Sequence, residues 1–391
     1  MKKILLIILL IVSCSKSEYI EDVNDTPRNF LPLVISQNTT LTPDVNWILQ
    51  GRTIVTDGAT LTIEPGTVIK GKGGSGTDAS CLLIARGAKI NAVGTVDRPI
   101  IFTSIADSTG LEVSNRGLWG GLIVLGKAPG SFKGDVSEYQ IEGIPASDTR
   151  GLYGGNIPDD NSGILKYVSI RHGGISIGAG NEINGLTLAG VGNKTIIDNI
   201  EVYANVDDGI EFFGGTVNAS NLIVWGQGDD GLDIDQSYSG EINNAVVILE
   251  QKSDHGLEID GPEGSMEGSF KLKNITLIGN KSAYDGEYAD FRSNAMGEIS
   301  NAYAYGFKNE SDVELDNDKV AENYNNNILN FNNWEIKLPE GIVNVKTLFV
   351  NKAESITTPS FGNFAKSVNV PTTGADLSYF DWTLAKKYNK F

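Results

Sequence analysis

Three short segments of the sequence, at residues 208–213, 230–235 and 255–260, place acidic side chains in the same pattern. Each begins with Asp or His followed by Gly, and each continues with apolar residues that flank an acidic one. Neighbouring side chains of a β-strand face opposite sides, so the apolar positions would point one way and the acidic positions the other. If the segments stack as strands, their acidic side chains form columns on one face.

The alignment predicts three outward columns: Asp208, Asp230 and His255; Glu211, Asp233 and Glu258; and Phe213, Asp235 and Asp260. Paired strands lie about 4.8 Å apart. Two carboxylates at that separation repel by about 1 kcal/mol in water and by about 3.5 kcal/mol at an effective dielectric of 20. Such a column needs a bound cation, shared protons or good hydration. Because calcium prefers oxygen ligands, we predict a calcium site at the second column.

A second repeat shows which elements position these residues. An asparagine begins each of five short apolar runs, at intervals of 22, 23, 30 and 27 residues: Asn199, Asn221, Asn244, Asn274 and Asn301. A repeat of this length, built of short alternating strands and glycine turns, indicates a solenoid. No helical unit fits between the strands, so the predicted fold is all-β, a parallel β-helix.

The repeat also divides the chain. We predict a signal peptide at 1–13, a tether at 14–38, the β-helix at 39–310 and a C-terminal cap at 311–391. The cap follows from the loss of the pattern after residue 306, because the open end of a solenoid needs a cover. Residues 127–150 hold few alternating runs and predict a loop inserted on one coil.

The N-terminus has the pattern of a targeting segment. Lys2 and Lys3 precede nine apolar residues and then Cys14, and the apolar stretch is too short to span a bilayer. The residues before Cys14 resemble the bacterial lipobox, which implies that this cysteine receives a lipid. Cys81 is the other of the two cysteines, so no disulfide framework is expected. We predict an outer-membrane or cell-surface lipoprotein that contacts the membrane through its lipid alone.

Several glycine-rich motifs resemble those of a large family of Bacteroidota secreted or lipid-anchored β-helix proteins in the pectate-lyase-like superfamily. The motifs lie at 58–69, 116–126, 150–155, 165–174, 178–188 and 202–215. The resemblance implies a right-handed β-helix outside the cytoplasm, and the general rule for parallel crossovers gives the same hand. It implies no particular activity.

The acidic segments also resemble the motifs of polygalacturonase-type glycoside hydrolases. That resemblance implies that Asp208 and Asp229 activate water, that Asp230 donates the proton and that His255 assists. The sequence departs from the family pattern before Asp208 and before His255. The family's downstream Arg-x-Lys also has no match on the next coil, where Arg292 stands alone.

A net charge of −18 argues against nucleic acid as a partner and favours cations or neutral ligands. We interpret the chain as a non-catalytic protein that binds polysaccharide or another extended ligand. Tyr153 and Phe213 would stack on sugar rings, and Asp235 and Asp260 are further candidate ligand-binding residues. The alternatives are a glycoside hydrolase or lyase that uses the acidic columns, and a structural or adhesive surface protein.

The lipid anchor gives a first prediction. Cys14→Ser should release the protein from membranes, because the acyl chains would be its only membrane contact. Fractionation of cells that express either form would measure this. A Cys14→Ser protein that stays in the membrane fraction would contradict the lipoprotein assignment, and Cys81→Ser serves as the control.

Overall fold

The computed structural model describes residues 29–74, 76–108, 110–175 and 182–391. Cys14, the signal peptide at 1–13 and the tether as far as residue 28 lie outside the described residues. No helix among the described residues is long and apolar enough to cross a membrane.

The described ranges contain 27 β-strands: β1 (Val34–Ile35), β2 (Thr39–Leu41), β3 (Trp47–Leu49), β4 (Arg52–Val55), β5 (Thr60–Ile63), β6 (Val68–Gly71), β7 (Cys81–Ile84), β8 (Lys89–Val93), β9 (Ile100–Ser104), β10 (Leu122–Leu125), β11 (Tyr139–Gln140), β12 (Leu152–Tyr153), β13 (Gly163–Arg171), β14 (Leu186–Ala189), β15 (Ile196–Tyr203), β16 (Ile210–Phe213), β17 (Asn218–Trp225), β18 (Leu232–Asp235), β19 (Glu241–Ile248), β20 (His255–Ile259), β21 (Phe270–Ile278), β22 (Glu287–Phe291), β23 (Gly297–Tyr305), β24 (Val313–Leu315), β25 (Leu329–Ile336), β26 (Phe349–Asn351) and β27 (Ala365–Ser367). The α-helices in these ranges are α1 (Asp318–Asn325) and α2 (Leu384–Lys387). Short 3₁₀ turns lie at Gly76–Asp78, Thr149–Gly151, Val345–Leu348 and Leu377–Phe380.

Apart from β11 and β12, the strands stack in parallel rows and pair with strands of neighbouring coils. The first row contains β1, β4, β7, β10, β14, β16, β18, β20, β22, β24 and β26. The second row starts with β2, β5 and β8, and the third with β3, β6 and β9. From β13 onward one long strand supplies both of these rows. The predicted parallel β-helix is confirmed.

Each long strand bends where the second row gives way to the third, at one residue in the left-handed region. From β15 to β25 that residue is asparagine, with φ values of 56°, 56°, 65°, 56°, 58° and 52° at Asn199, Asn221, Asn244, Asn274, Asn301 and Asn333. Asparagine tolerates this conformation better than most residues. Amides also bond between coils, since Asn333 Nδ2 donates to Asn301 Oδ1 at 2.8 Å. The asparagine repeat therefore marks the corner of each coil.

The inward positions of the first row form a continuous apolar core. Ile210, Leu232 and Leu257 are paired in register and fully buried. Phe212 and Ile234 pair in the same way one position further on, and both are buried. The inward direction predicted for these columns is confirmed.

An insertion at residues 126–162 covers the N-terminal half of the first row. It contains the antiparallel pair β11–β12. Four of its apolar side chains pack on outward residues of first-row strands such as Leu83, Ile123 and Phe213: Phe132, Ile141, Ile144 and Tyr153. The loop predicted at 127–150 lies within this insertion, which closes one face of the solenoid.

Parallel pairing continues past residue 310, where the sequence predicted the cap to begin. Strands β24 to β27 add further coils as far as Ser367. The repeat is hard to recognise here because α1 and long turns separate the strands. The C-terminal end of the core is closed by packed aromatic rings: Phe331, Trp334, Phe349, Phe361 and Phe364.

Residues 370–391 run back along the outside of the third row and do not cover the open end. The N–H of Ala375 donates to Thr276 Oγ1 at 2.9 Å, and the N–H of Asp376 donates to Asn244 Oδ1 at 2.6 Å. Further along the segment, the N–H of Leu384 donates to Glu201 at 2.5 Å. These acceptors lie on successively earlier coils, so we call residues 370–391 the C-terminal strap.

The corner asparagines give a second prediction. Asn333→Ala should lower the free energy of unfolding by about 1–2 kcal/mol, because alanine is strained at this φ and the bond to Asn301 is lost. Asn333→Gly should recover part of that loss, since glycine adopts the conformation freely. Asn332 is equally exposed but lies outside the left-handed region, so Asn332→Ala should change stability by less than about 0.5 kcal/mol. Chemical denaturation would measure all three, and equal losses at Asn332 and Asn333 would contradict the prediction.

Candidate functional site

The outward carboxylates of the first row form one continuous column. Strand pairing aligns five of them on consecutive coils: Glu211, Asp233, Glu258, Asp290 and Glu314. We call these residues the acidic column. The sequence alignment reached only the first three. Asp290 and Glu314 each lie between two buried apolar residues, and that alternation is the signal that could have located them.

The acidic column is nearly buried although it faces outward. Its five members are between 5% and 9% exposed. Burial and the neighbouring charge of Asp233 raise the pKa of Glu211 well above its ordinary value. Burial and the charge of Asp235 act in the same way on the pKa of Asp233. Ionisation of both Glu211 and Asp233 would therefore be costly.

A second column lies at the corner where each first-row strand begins. The N–H of Asp208 donates to Asn184 Oδ1 at 3.2 Å, and the N–H of Asp230 donates to Asp208 Oδ1 at 2.9 Å. The N–H of His255 then donates to Asp230 Oδ1 at 2.8 Å. The side chains in this column thus accept backbone bonds from the next coil, which gives Asp208 and Asp230 a structural role.

His255 is bound to the same buried carboxylate through its ring. Its Nδ1 lies 2.8 Å from Asp230 Oδ1 and 3.5 Å from Glu258. Burial alone would lower the pKa of His255, but the hydrogen bond to Asp230 and the charges of nearby carboxylates raise it to about 9. The imidazole is therefore a cation at neutral pH, and it offsets part of the negative charge around it.

The third predicted column also contains the basic residue Arg292. Backbone bonds place Asp235, Asp260 and Arg292 on consecutive coils. Arg292 donates to Asp260 through Nε at 3.0 Å and through Nη2 at 2.8 Å, and Nη2 also contacts Glu258. The column continues with Asp316 and Lys352, whose N–H groups bond back to Phe291 and Leu315 in the same register.

Tyr153 and Phe213 do not form the predicted sugar-stacking surface. Tyr153 is 1% exposed and Phe213 is 8% exposed. Their rings lie 6.1 Å apart beneath the insertion, and the Tyr153 hydroxyl donates to Gln236 at 2.6 Å. The insertion needs these rings as its own core, so neither presents a free face to a ligand.

The predicted calcium ligands also divide differently in the structure. Oxygen atoms of Asp208, Glu211 and Asp233 lie within 4.8 Å of one another, and all three residues are buried. Glu258 instead groups with Asp230 and His255. Glu258 remains in register with Asp233, but its carboxylate contacts Arg292 and, at 3.5 Å, His255.

The four residues of the hydrolase motif meet at neighbouring corners but differ in access. Asp208 and Asp230 are 6% and 3% exposed and already accept hydrogen bonds. Asp229 reaches the solvent, but the protein around its carboxyl partly desolvates it, and this desolvation together with the charge of Asp230 raises its pKa to about 6. Among the four, only Asp229 is placed to meet a polymer freely. Ligand atoms of Asp229 lie within 4.8 Å of Asp208 and, in a second group, within 4.8 Å of Asp230, so the three carboxyls of the motif gather at one corner.

Parallel strands stacked coil upon coil define a parallel β-helix. The comparison of the sequence with family models agrees: residues 33–386 match the family described as pectate-lyase like beta helix domain. The chain belongs to this family.

Other comparisons add little. Among solved structures, the Yersinia enterocolitica family 28 exopolygalacturonase matches with 12% identity and a TM-score of 0.19, over 82% of this chain and 74% of that one. A likeness at that level supports no argument about activity. No curated protein gives a significant match to this sequence.

The raised pKa values give a third prediction, which concerns the pH dependence of stability when a chelator is present in the buffer. Burial raises the pKa of Asp207 to about 8 and that of Asp290 to about 7. These carboxyls bind protons more tightly in the folded state than in the unfolded state. The free energy of unfolding should therefore rise as pH falls from about 8 to about 5.5. The raised pKa of His255 acts in the same direction, since its contribution is complete below about 6.5 and is lost through about 9.

Thermal unfolding at several pH values would measure this effect. Asp290→Asn should raise the midpoint at about pH 8 and flatten the pH profile, because the amide imitates the protonated acid. Asp97 is exposed, so Asp97→Asn should leave the profile unchanged. A midpoint that falls steadily between pH 8 and 5.5 would contradict the prediction.

Proposed function

We propose that this protein is a cell-envelope lipoprotein that binds polysaccharide or another extended ligand without cleaving it. The ligand would lie along the C-terminal half of the first row, and Cys14 would carry the lipid. The strongest support comes from the C-terminal part of the third column. Acidic and basic side chains alternate there from coil to coil: Asp260, Arg292, Asp316 and Lys352.

The alternation suits a polymer rich in hydroxyl groups. Coils repeat at about 4.8 Å, so the column offers a hydrogen-bond donor and an acceptor in turn along the axis. Arg292 and Lys352 donate, while Asp260 and Asp316 accept. Asp316 and Lys352 are exposed, and Arg292 keeps 38% of its side chain in solvent. An extended row of matched groups binds a long ligand through many weak contacts.

The covered surfaces limit where such a ligand can lie. The insertion occupies the N-terminal half of the first row, and the C-terminal strap occupies the third row. The second row is also open, and its exposed side chains include Lys271 and Asn218. Its charges also alternate over three coils, at Glu241, Lys271 and Glu298, so it is the competing surface that the experiment must distinguish from the first row.

A glycoside hydrolase is the second candidate, and one observation favours it. Asp229 is exposed with a pKa of about 6, and it lies beside Asp230 and Asp254. A carboxyl of that kind could act as a general acid near neutral pH. Against this, Asp208 and Asp230 are buried and bound by the backbone of the next coil.

A polysaccharide panel assayed for both retention and product release gives the fourth prediction. In affinity electrophoresis, Asp316→Asn and Lys352→Gln should each weaken retention about threefold to tenfold, and together more, because each removes one contact of many. Lys271→Gln, on the second row, should bind as the unmodified protein does. Equal retention by all variants would contradict the proposed surface.

Product release would decide between the two candidates. The binding proposal expects intact polymer after long incubation with the unmodified protein. Cleavage that disappears in Asp229→Asn, with retention unchanged, would overturn the proposal in favour of the hydrolase.

A further inference from the structure

The sealed half of the first row contains a group of oxygen atoms with no cation among the side chains that form it. Asp208, Glu211 and Asp233 bring carboxylate oxygens within 4.8 Å of one another, and all three residues are buried. Asn184 closes one side, because its Nδ2 donates to Glu211 and, at 3.2 Å, to Glu142 of the insertion. Four carboxyls therefore converge on a small volume beneath the insertion.

One oxygen in this group lacks any hydrogen-bond donor. Asp233 Oδ1 is buried and accepts no hydrogen bond from the described residues, and Asp233 as a whole is 91% buried. Its neighbours differ in this respect, because Asp208 accepts the N–H of Asp230 and Glu211 accepts the amide of Asn184. A buried carboxylate oxygen without a partner costs free energy that a bound cation would remove.

The surrounding side chains do not supply that cation. Arg292 bonds to Glu258 and Asp260, further along the solenoid. His255 contacts Asp230 and Glu258 and belongs to a separate group. Among the described residues, no lysine, arginine or histidine forms an ion pair with Asp208, Glu211 or Asp233 within 4.0 Å.

We propose that Asp208, Glu211 and Asp233 bind one Ca²⁺ ion, which neutralises the buried start of the acidic column and joins two consecutive coils beneath the insertion. The ligand atoms of all three residues are carboxylate oxygens, which calcium prefers, and calcium accepts irregular coordination. Zinc prefers nitrogen and sulfur ligands, which this group lacks. Glu142 borders the site, because the amide of Asn184 bonds both Glu142 and Glu211.

The site is structural and does not depend on the proposed polysaccharide binding. Its ligands are at most 9% exposed and lie under the insertion, so a polymer on the open coils cannot reach the ion. Loss of the ion would loosen the contact between the insertion and the solenoid. Loss of polysaccharide binding would leave the ion in place.

Calorimetric titration of chelator-treated full-length protein with CaCl₂ tests the proposal. We expect one Ca²⁺ per chain and an increase in the thermal midpoint on binding. Asp233→Asn and Glu211→Gln should each weaken Ca²⁺ binding at least a hundredfold. Both should also raise the midpoint of the metal-free protein, because each removes one of the repelling charges. The second variant keeps the test valid if the first fails to fold.

The control is Asp290→Asn, in the same column three coils beyond Glu211, and it should bind Ca²⁺ as the unmodified protein does. Titration with MgCl₂ should give much weaker binding. The proposal would be overturned if the unmodified protein binds no Ca²⁺ at millimolar concentration. It would also be overturned if Asp233→Asn and Glu211→Gln bind as tightly as Asp290→Asn does. In either case shared protons, and not a cation, would neutralise the group.

Discussion

Parallel pairing between coils is the constraint on which the rest of this structure depends. It stacks equivalent residues at about 4.8 Å, so every side chain must be compatible with copies of itself above and below. Apolar columns meet this condition without cost, and Ile210, Leu232 and Leu257 form the core in this way. Corner asparagines meet it by bonding to one another, as Asn301 does with Asn333. Carboxylate columns meet this condition only when a cation, a basic side chain or a bound proton neutralises part of their charge.

The parts that follow from this stacking could be predicted from the sequence. The asparagine intervals and the alternation of apolar and acidic residues were sufficient to give the fold class and the alignment of three coils. Asp290 and Glu314 were missed because their strands lack the Asp-Gly start of the earlier segments. The coils beyond residue 310 were missed because α1 and long turns stretch the repeat.

The parts that depend on covering segments could not be predicted. The sequence shows that residues 127–150 leave the solenoid, but not which face they return to. Tyr153 and Phe213 therefore looked like exposed rings, although Phe213 is buried beneath the insertion and Tyr153 belongs to the core of the insertion. The C-terminal residues likewise looked like an end cap, whereas polar contacts such as the one from Ala375 to Thr276 hold them along the third row. Contacts between distant segments follow no local period.

The insertion also explains why the charge of the acidic column is neutralised in two different ways along its length. On the open coils, side chains from the next coils can turn towards the carboxylates, and Arg292 and Lys352 pair with Glu258 and Glu314. Under the insertion, no ion pair of the described residues reaches Glu211 or Asp233, and Glu211 accepts the amide of Asn184. A compact ion or a proton is the remaining means of balancing charge there. The insertion thereby divides the first row into two halves. In the covered half the carboxylates face one another, and in the open half charged side chains reach the solvent.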